Sequence, residues 1–241
     1  MSANRILAFS SSRAGNGGYL ETARPLISIF LGDRPLQVAF IPFASVDTDY
    51  ESYASMVRSG LAGLPLTINV CEPGNAASVI SKADVIMTGG GNTFKLLHDI
   101  YQLKLLDLIR DKVNAGTPYI GWSAGSNITG PGIGTTNDMP VIFPKSFDAL
   151  GLFPFQINPH YFNQKPEGFN GETRDQRLTE FMKMNPGLPI VALPEGTVLK
   201  MDAGRLEFTG SLPGVLFHYE EQSDVPVKRT IEIGEDLTFL L

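Results

Sequence analysis

Short apolar segments alternate with helix-like segments along the first half of the chain, and turns rich in glycine or proline separate many of them. The segments typical of strands are 6–10, 36–43, 66–71, 85–88 and 119–122. Strands that alternate with helices are connected by crossovers and form a mostly parallel sheet, which helices cover on both faces. The pattern therefore predicts an α/β fold.

Apolar spacing also predicts where the helices lie. Segments 19–31, 50–61 and 76–82 have helical periodicity. The clearest pattern predicts one continuous helix that ends before Gly116. It rests on six apolar residues at helical spacing: Leu96, Leu97, Ile100, Leu103, Leu106 and Ile109.

The second half of the chain has a different pattern. Segment 130–170 is rich in turn residues, 175–184 is helical and 189–193 is a strand. Short alternating segments over 197–233 predict an antiparallel β-meander at the C-terminal end. Because we find no linker, repeat or low-complexity segment, we expect a single domain spanning residues 1–241.

Composition excludes several classes of function. The 241 residues carry a net charge of −6, which argues against binding to nucleic acid or to an anionic membrane surface. No segment is long and apolar enough to span a membrane, and the apolar run near the N-terminus is too short for a signal peptide. Cys71 is the only cysteine, so an internal disulfide is impossible and we expect this residue in the core. We expect a cytoplasmic protein.

A serine between two glycines follows the last of the five strands. The segment Gly121-Trp122-Ser123-Ala124-Gly125 has the G-x-S-x-G pattern of a nucleophile elbow, in which a tight turn between strand and helix exposes the serine hydroxyl. Small neighbours are needed because the turn brings adjacent backbone segments close together. Ser123 is therefore the candidate nucleophile.

A serine nucleophile needs a base, and three histidines are available. His98 lies within the long predicted helix, and His218 lies in an alternating strand. His160 follows an apolar segment and lies in a loop, which is where a base facing a serine at the edge of the sheet is expected. We therefore predict that His160 is the base.

Two carboxylates are candidates for orienting the histidine. Asp138 lies between Ser123 and His160, which gives the chain order Ser, Asp, His of α/β-hydrolases. Glu195 follows an apolar strand, as His160 does. Rigid strand ends hold geometry better than long loops, which slightly favours Glu195. The choice stays open at this level.

The glycine-rich turn 89–92 joins a strand to a helix and has free backbone N–H groups. With the amide of Ala124, these groups are suited to an oxyanion hole. A phosphate-binding loop or a plain helix cap would have a similar composition. The chain lacks the G-x-G-x-x-G and P-loop patterns, so no nucleotide cofactor is expected.

Six motifs, in order, make the sequence resemble the peptidase E family of α-aspartyl dipeptidases. They are GGGNTF from Gly89, GWSAGSN from Gly121, TTNDMP from Thr135, INPHYF from Ile157, GETRDQR from Gly171 and LPEGT from Leu193. The resemblance implies a serine peptidase that acts on dipeptides with an N-terminal aspartate, on a fold similar to that of class I glutamine amidotransferases. It implies no metal and no cofactor.

The resemblance also implies roles for individual residues. Ser123 matches the nucleophile, His160 the general base, and Gly91 with Ala124 the oxyanion amides. Both Glu195 and Asp138 match acidic positions of the family, so the ambiguity remains. The substrate-binding predictions are Arg174, which matches an arginine that grips the aspartate side chain, and Asn92.

Two other functions remain possible from the sequence. One is a related serine hydrolase of different acyl specificity, such as a cyanophycinase-like enzyme or an esterase. The other is a non-catalytic protein that binds small molecules on the same fold. Whether the protein is a monomer or a homodimer also stays open.

Overall fold

Seven strands form the main sheet of the computed structural model, which describes residues 4–168, 170–220 and 225–241. In spatial order the strands are β3 (Leu66–Val70), β2 (Leu36–Ile41), β4 (Val85–Thr88), β5 (Tyr119–Trp122), β1 (Ile6–Phe9), β8 (Thr197–Asp202) and β9 (Arg205–Gly210). The first five are parallel, whereas β8 is antiparallel to β1 and β9 is antiparallel to β8.

Helices cover both faces of this sheet. On one face lie α1 (Arg24–Leu31) and α2 (Tyr50–Gly60), and on the other lie α3 (Ala76–Lys82), α4 (Thr93–Gln102) and α5 (Leu106–Asn114). Successive strand residues belong to different core clusters, because side chains alternate between the faces of a strand. This arrangement confirms the predicted α/β architecture.

A second sheet of four strands packs on the core next to α4 and α5. Its spatial order is β11 (Val227–Ile231), β10 (Gly214–His218), β7 (Ile190–Ala192) and β6 (Gln156–Asn158). Strands β6 and β7 are parallel, and β10 is antiparallel to both of its neighbours. Helix α7 (Arg174–Met184) packs on the outer face of this sheet through Leu178 and Met182.

The predicted antiparallel strands at the C-terminal end are present, but they are divided between the two sheets. The β8–β9 hairpin extends the main sheet, whereas β10 and β11 belong to the second sheet. Local alternation predicts each strand, but pairing partners depend on which sheet edge each hairpin can reach.

The prediction of one continuous helix through Ile109 was wrong. Helix α4 ends at Gln102, and α5 begins at Leu106. Between them Lys104 has a φ of 55°, in the left-handed region that interrupts a helix. Both helices bury residues in the same core cluster. The apolar spacing therefore continues across the break, and the sequence pattern does not reveal where α4 ends.

Helix α1 is also shorter than predicted. It begins at Arg24 rather than at Tyr19, and Pro25 lies in its first turn. Proline is favoured there because its missing N–H group would have no helical partner. The segment before it forms turns, with Leu20 buried.

Cys71 is fully buried in the core, as predicted, and burial raises the pKa of its thiol to about 12. Among the described residues, no helix has both the length and the apolar composition needed to cross a membrane.

Candidate active site

Ser123 lies in a tight turn between β5 and the short helix α6 (Ala124–Asn127). Its φ of 54° and ψ of −115° are rare for a residue with a side chain. A Cβ atom at Gly121 would lie 2.4 Å from the Gly125 carbonyl oxygen, and one at Gly125 would lie 2.2 Å from the Thr88 carbonyl oxygen. The two glycines of the motif are therefore required by close backbone packing on both sides of the serine.

His160 follows β6 in a turn that hydrogen bonds hold in place. Its own φ is 52°, and its backbone N–H donates to Ser10 Oγ at 2.9 Å. The Ser10 hydroxyl in turn donates to the Leu193 carbonyl oxygen at 2.7 Å. Ser10 is fully buried at the end of β1, so it connects the histidine loop to the strand end that precedes Glu195. Ser10 is not among the predicted site residues, because its only signal in the sequence is a polar residue where an apolar strand ends.

The histidine ring lies between the serine and the glutamate. His160 Nε2 is 2.9 Å from Ser123 Oγ, and Nδ1 is 2.8 Å from Glu195 Oε1. An ionised carboxylate can only accept, so Nδ1 carries the hydrogen and Nε2 is free to take the serine proton. The side chains of His160 and Glu195 remain 40% and 56% exposed, so solvent screens their attraction and the main effect of the contact is to orient the ring.

Asp138 contacts the start of α4 rather than the imidazole. Its Oδ2 accepts from the Thr93 backbone N–H at 2.7 Å and from Thr136 Oγ1 at 3.2 Å. The two candidate acids therefore differ in their contacts, because the carboxylate of Asp138 accepts hydrogen bonds at the start of α4 and from Thr136. Of the two, Glu195 is the one hydrogen-bonded to His160.

Asn92 is the N-cap residue of α4. Its Oδ1 accepts from the Lys95 backbone N–H at 3.0 Å, and its Nδ2 donates to the Met139 carbonyl oxygen at 2.8 Å. Both polar atoms of the side chain therefore have protein partners. With Asp138, Asn92 joins the 135–139 loop to the beginning of the helix.

The glycine turn after β4 lies directly beside Ser123. A Cβ atom at Gly90 would lie 2.8 Å from Ser123 Cβ, and one at Gly91 would lie 2.4 Å from the Ala44 carbonyl oxygen. Gly91 also has a φ of 135°, which favours glycine. Within the described part of the chain, the backbone N–H groups of Gly91 and Ala124 have no acceptor, so both remain available to an oxyanion.

A cavity of about 700 Å³ opens beside Ser123 and His160 on the α1 and α2 side of the sheet. Its walls are mostly apolar and include Tyr19, Val46, Tyr53, Met56 and Trp122. Tyr53 Oη donates to the Gly90 carbonyl oxygen at 2.9 Å and accepts from Trp122 Nε1 at 3.1 Å. These bonds fix the cavity wall to the glycine turn.

Arg174 lies outside this cavity, at the first position of α7. It is half-buried, and its Nη1 donates to Asn158 Oδ1 at 3.2 Å. Among the described residues, no carboxylate lies within 4.0 Å of its guanidinium; the adjacent Asp175 pairs with Lys228 and Tyr161 instead. Burial, and secondarily the positive charge of Arg177, lowers the pKa of Arg174.

The fold and this geometry define a class of enzyme. A serine on a strand-to-helix elbow, hydrogen-bonded to a histidine that is hydrogen-bonded to a glutamate, is the constellation of a serine hydrolase. The family model of peptidase family S51 matches residues 6–209. The chain belongs to peptidase family S51, and it is a hydrolase of peptide bonds.

Curated relatives match this chain over nearly its whole length. A protein of Shewanella denitrificans named peptidase E is 48% identical over 236 residues, which cover 98% of each chain. A peptidase E of Shewanella sp. strain W3-18-1 is 47% identical over 242 residues and covers 100% of both chains. These comparisons confirm the predicted family and the predicted serine dipeptidase class.

Solved structures share the fold. A crystal structure from Listeria monocytogenes EGD-e superposes with a TM-score of 0.66 at 24% identity and covers 87% of this chain and 99% of its own. The structure of a peptidase from an acI-B1 Actinobacterium gives a TM-score of 0.61 at 15% identity and covers 97% and 96%.

Proposed function

We propose that this enzyme hydrolyses dipeptides with an N-terminal aspartate through an acyl-enzyme on Ser123. The main support for an aspartyl substrate is Arg174, because its guanidinium is half-buried and has no carboxylate partner among the described residues. Its position at the positive end of α7 adds to the local positive potential. An uncompensated charge of this kind is suited to bind a substrate carboxylate by two parallel hydrogen bonds.

The mechanism follows from the hydrogen-bonded chain. His160 Nε2 takes the proton of Ser123 Oγ as that oxygen attacks the carbonyl carbon of the aspartyl residue. The amides of Gly91 and Ala124 stabilise the oxyanion of the tetrahedral intermediate. The imidazolium then gives its Nε2 proton to the leaving amine. Water, deprotonated by His160 Nε2, attacks the acyl carbon; the bond from that carbon to Ser123 Oγ then breaks, Nε2 returns the proton to Ser123 Oγ, and aspartate is released. Glu195 keeps the ring oriented throughout.

Substrate preference tests this proposal directly. We expect Asp-Leu to be hydrolysed with a much higher kcat/KM than Asn-Leu, Glu-Leu or simple acetyl esters. Asn-Leu is the sharpest comparison, because it has nearly the same shape as Asp-Leu and lacks only the charge. Equal rates for acetyl esters would indicate an esterase instead, and failure of Ser123 to react with a serine-directed phosphonate would indicate a non-catalytic binding protein.

The two acids are predicted to differ sharply in kinetic effect. Replacing Glu195 with alanine should lower kcat about ten-thousandfold, the size of loss expected for a triad acid. Asp138→Ala should lower kcat less than about tenfold and lower the free energy of unfolding by about 1 kcal/mol, because it removes a hydrogen bond at the start of α4. Steady-state kinetics and thermal unfolding measure both. The reverse order of kcat losses would make Asp138 the orienting acid, and a rise in KM alone would make it a recognition residue.

The cavity lined by Met56 is the proposed site of the leaving residue, since Arg174 lies outside it while Ser123 lines it. Met56→Trp should lower kcat/KM for Asp-Phe about tenfold by overfilling the cavity, and it should change kcat/KM for Asp-Gly less than threefold. Met184→Trp, at an exposed position of α7, is the matched control and should affect neither substrate. Equal losses for both dipeptides would place the leaving residue elsewhere.

The organisation and location of the enzyme are further parts of the proposal. Residues 1–241 are proposed to form one folding unit, since the main sheet and the second sheet share a core cluster; two separate unfolding transitions would contradict this.

A monomer or homodimer is expected, which light scattering would determine. A cytoplasmic location agrees with the single buried cysteine, and cell fractionation would test it.

A further inference from the structure

Asn158 is the residue that holds Arg174. It is the last residue of β6, and its side chain is completely buried. Its Nδ2 donates to the Thr135 carbonyl oxygen at 2.7 Å and to Asn137 Oδ1 at 3.0 Å. Its Oδ1 accepts from Arg174 Nη1 at 3.2 Å. Every polar atom of this buried amide therefore has a partner.

Chemistry determines which way the amide points. The Thr135 carbonyl can only accept a hydrogen bond, and a guanidinium can only donate one. The Asn158 oxygen must therefore face Arg174 and its nitrogen must face Thr135. The two hydrogen bonds that Asn158 Nδ2 donates, to Thr135 and Asn137, therefore hold the amide so that its Oδ1 points at the Arg174 guanidinium.

The partner of Arg174 is neutral, and this has a consequence for its charge. A half-buried arginine is ordinarily paired with a carboxylate, because an isolated charge is expensive to remove from water. Here an amide oxygen supplies a hydrogen bond without cancelling the positive charge. A carboxylate at the same position would also orient the guanidinium, but it would compete with the carboxylate of the substrate.

We propose that Asn158 is a positioning residue for substrate specificity: its neutral oxygen orients the Arg174 guanidinium and leaves the positive charge for the side chain of the substrate aspartate. This inference rests on the proposed function. Among the described residues, the side-chain hydrogen bonds of Asn158 go to Thr135, Asn137 and Arg174 rather than to Ser123 or Glu195, and Pro159 separates Asn158 from His160 in the chain. Its effect should therefore appear in substrate preference rather than in the chemical step.

The test is the ratio of kcat/KM for Asp-Leu to that for Asn-Leu in four proteins. Asn158→Asp should lower this ratio at least about thirtyfold, because a fixed carboxylate would pair with Arg174. Asn158→Ala should raise KM for Asp-Leu about tenfold and change kcat less than threefold, because the guanidinium keeps its charge but loses its anchor. The wild type provides the reference ratio.

Asn137→Asp is the matched control. Asn137 contacts Asn158 Nδ2 and the Pro159 carbonyl oxygen, but it does not contact Arg174. This variant adds the same negative charge nearby and, like Asn158→Asp, loses a donated hydrogen bond, here the one to the Pro159 carbonyl oxygen. It should retain the wild-type ratio of kcat/KM for Asp-Leu to that for Asn-Leu within about threefold, even if kcat falls for both dipeptides. A loss as large as that of Asn158→Asp would mean that general electrostatics, rather than pairing with Arg174, set the preference, and it would overturn the inference.

Thermal unfolding separates specificity from stability. Asn158→Asp loses two donated hydrogen bonds; if it does not fold, Asn158→Ala carries the test, and an unchanged KM for Asp-Leu in that variant overturns the inference. If the wild type prefers Asp-Leu but folded Asn158→Asp keeps the same ratio, the inference fails and the proposed function stands. A wild type without that preference would overturn the proposed function itself.

Discussion

Replacing Ser123 with alanine should lower kcat for Asp-Leu about a millionfold, the loss expected when the nucleophile of a triad is removed. The His160 ring and the two oxyanion amides remain in place, but no atom is left to form the acyl-enzyme. The decisive measurement is steady-state hydrolysis with enzyme at high concentration, together with loss of phosphonate labelling.

A serine far from the site supplies the control for this variant. Ser78 is exposed on α3, and Ser78→Ala should have wild-type kcat and KM. Both variants should unfold at nearly the wild-type temperature, because each removes only one hydroxyl group. A Ser123→Ala enzyme that retained a hundredth of the wild-type rate would overturn covalent catalysis by this residue.

Replacing Arg174 with glutamine should lower kcat/KM for Asp-Leu by roughly 30- to 5,000-fold. This range corresponds to about 2–5 kcal/mol for truncating one partner of a desolvated, hydrogen-bonded charge pair. The kcat/KM for Asn-Leu should change much less, because the neutral amide has no charge for the guanidinium to bind. Kinetics with the two dipeptides measure the difference.

The neighbouring Arg177 is the control for a change of charge in the same helix. Arg177 is exposed and its Nε is 3.7 Å from Glu172 Oε2, so Arg177→Gln should leave both kcat/KM values within about threefold of wild type. Equal losses for Asp-Leu and Asn-Leu in Arg174→Gln would show that Arg174 acts on the structure of the site rather than on recognition of the carboxylate.

Much of the fold could be predicted because the hydrophobic pattern reports burial directly. Each of the five parallel strands is a short apolar segment, since a parallel sheet buries both of its faces. The break at Lys104 could not be predicted, because α4 and α5 bury residues in the same cluster and Lys104 is not a residue type that marks a left-handed turn. The division of the C-terminal strands between two sheets depended on long-range pairing.

In the candidate site, too, some residues could be predicted from local sequence and others could not. Ser123 was recognisable because an elbow imposes local steric demands, which glycines at fixed spacing satisfy. His160 was recognisable from its place after an apolar strand. The choice between Glu195 and Asp138 was beyond local pattern, because both are ordinary turn residues and only the folded chain decides that one contacts the ring and the other caps α4.

By itself, the sequence determined the α/β class, the elbow serine and the loop histidine, because each depends on the residues next to it in the chain. The contacts themselves appear only in the tertiary structure: Glu195 is hydrogen-bonded to His160, and Arg174 donates to the neutral Asn158 rather than to an acid among the described residues. Each of these contacts joins residues that are far apart in the chain. The side chains come within hydrogen-bond distance only when the folded sheets bring the ends of different strands and helices together.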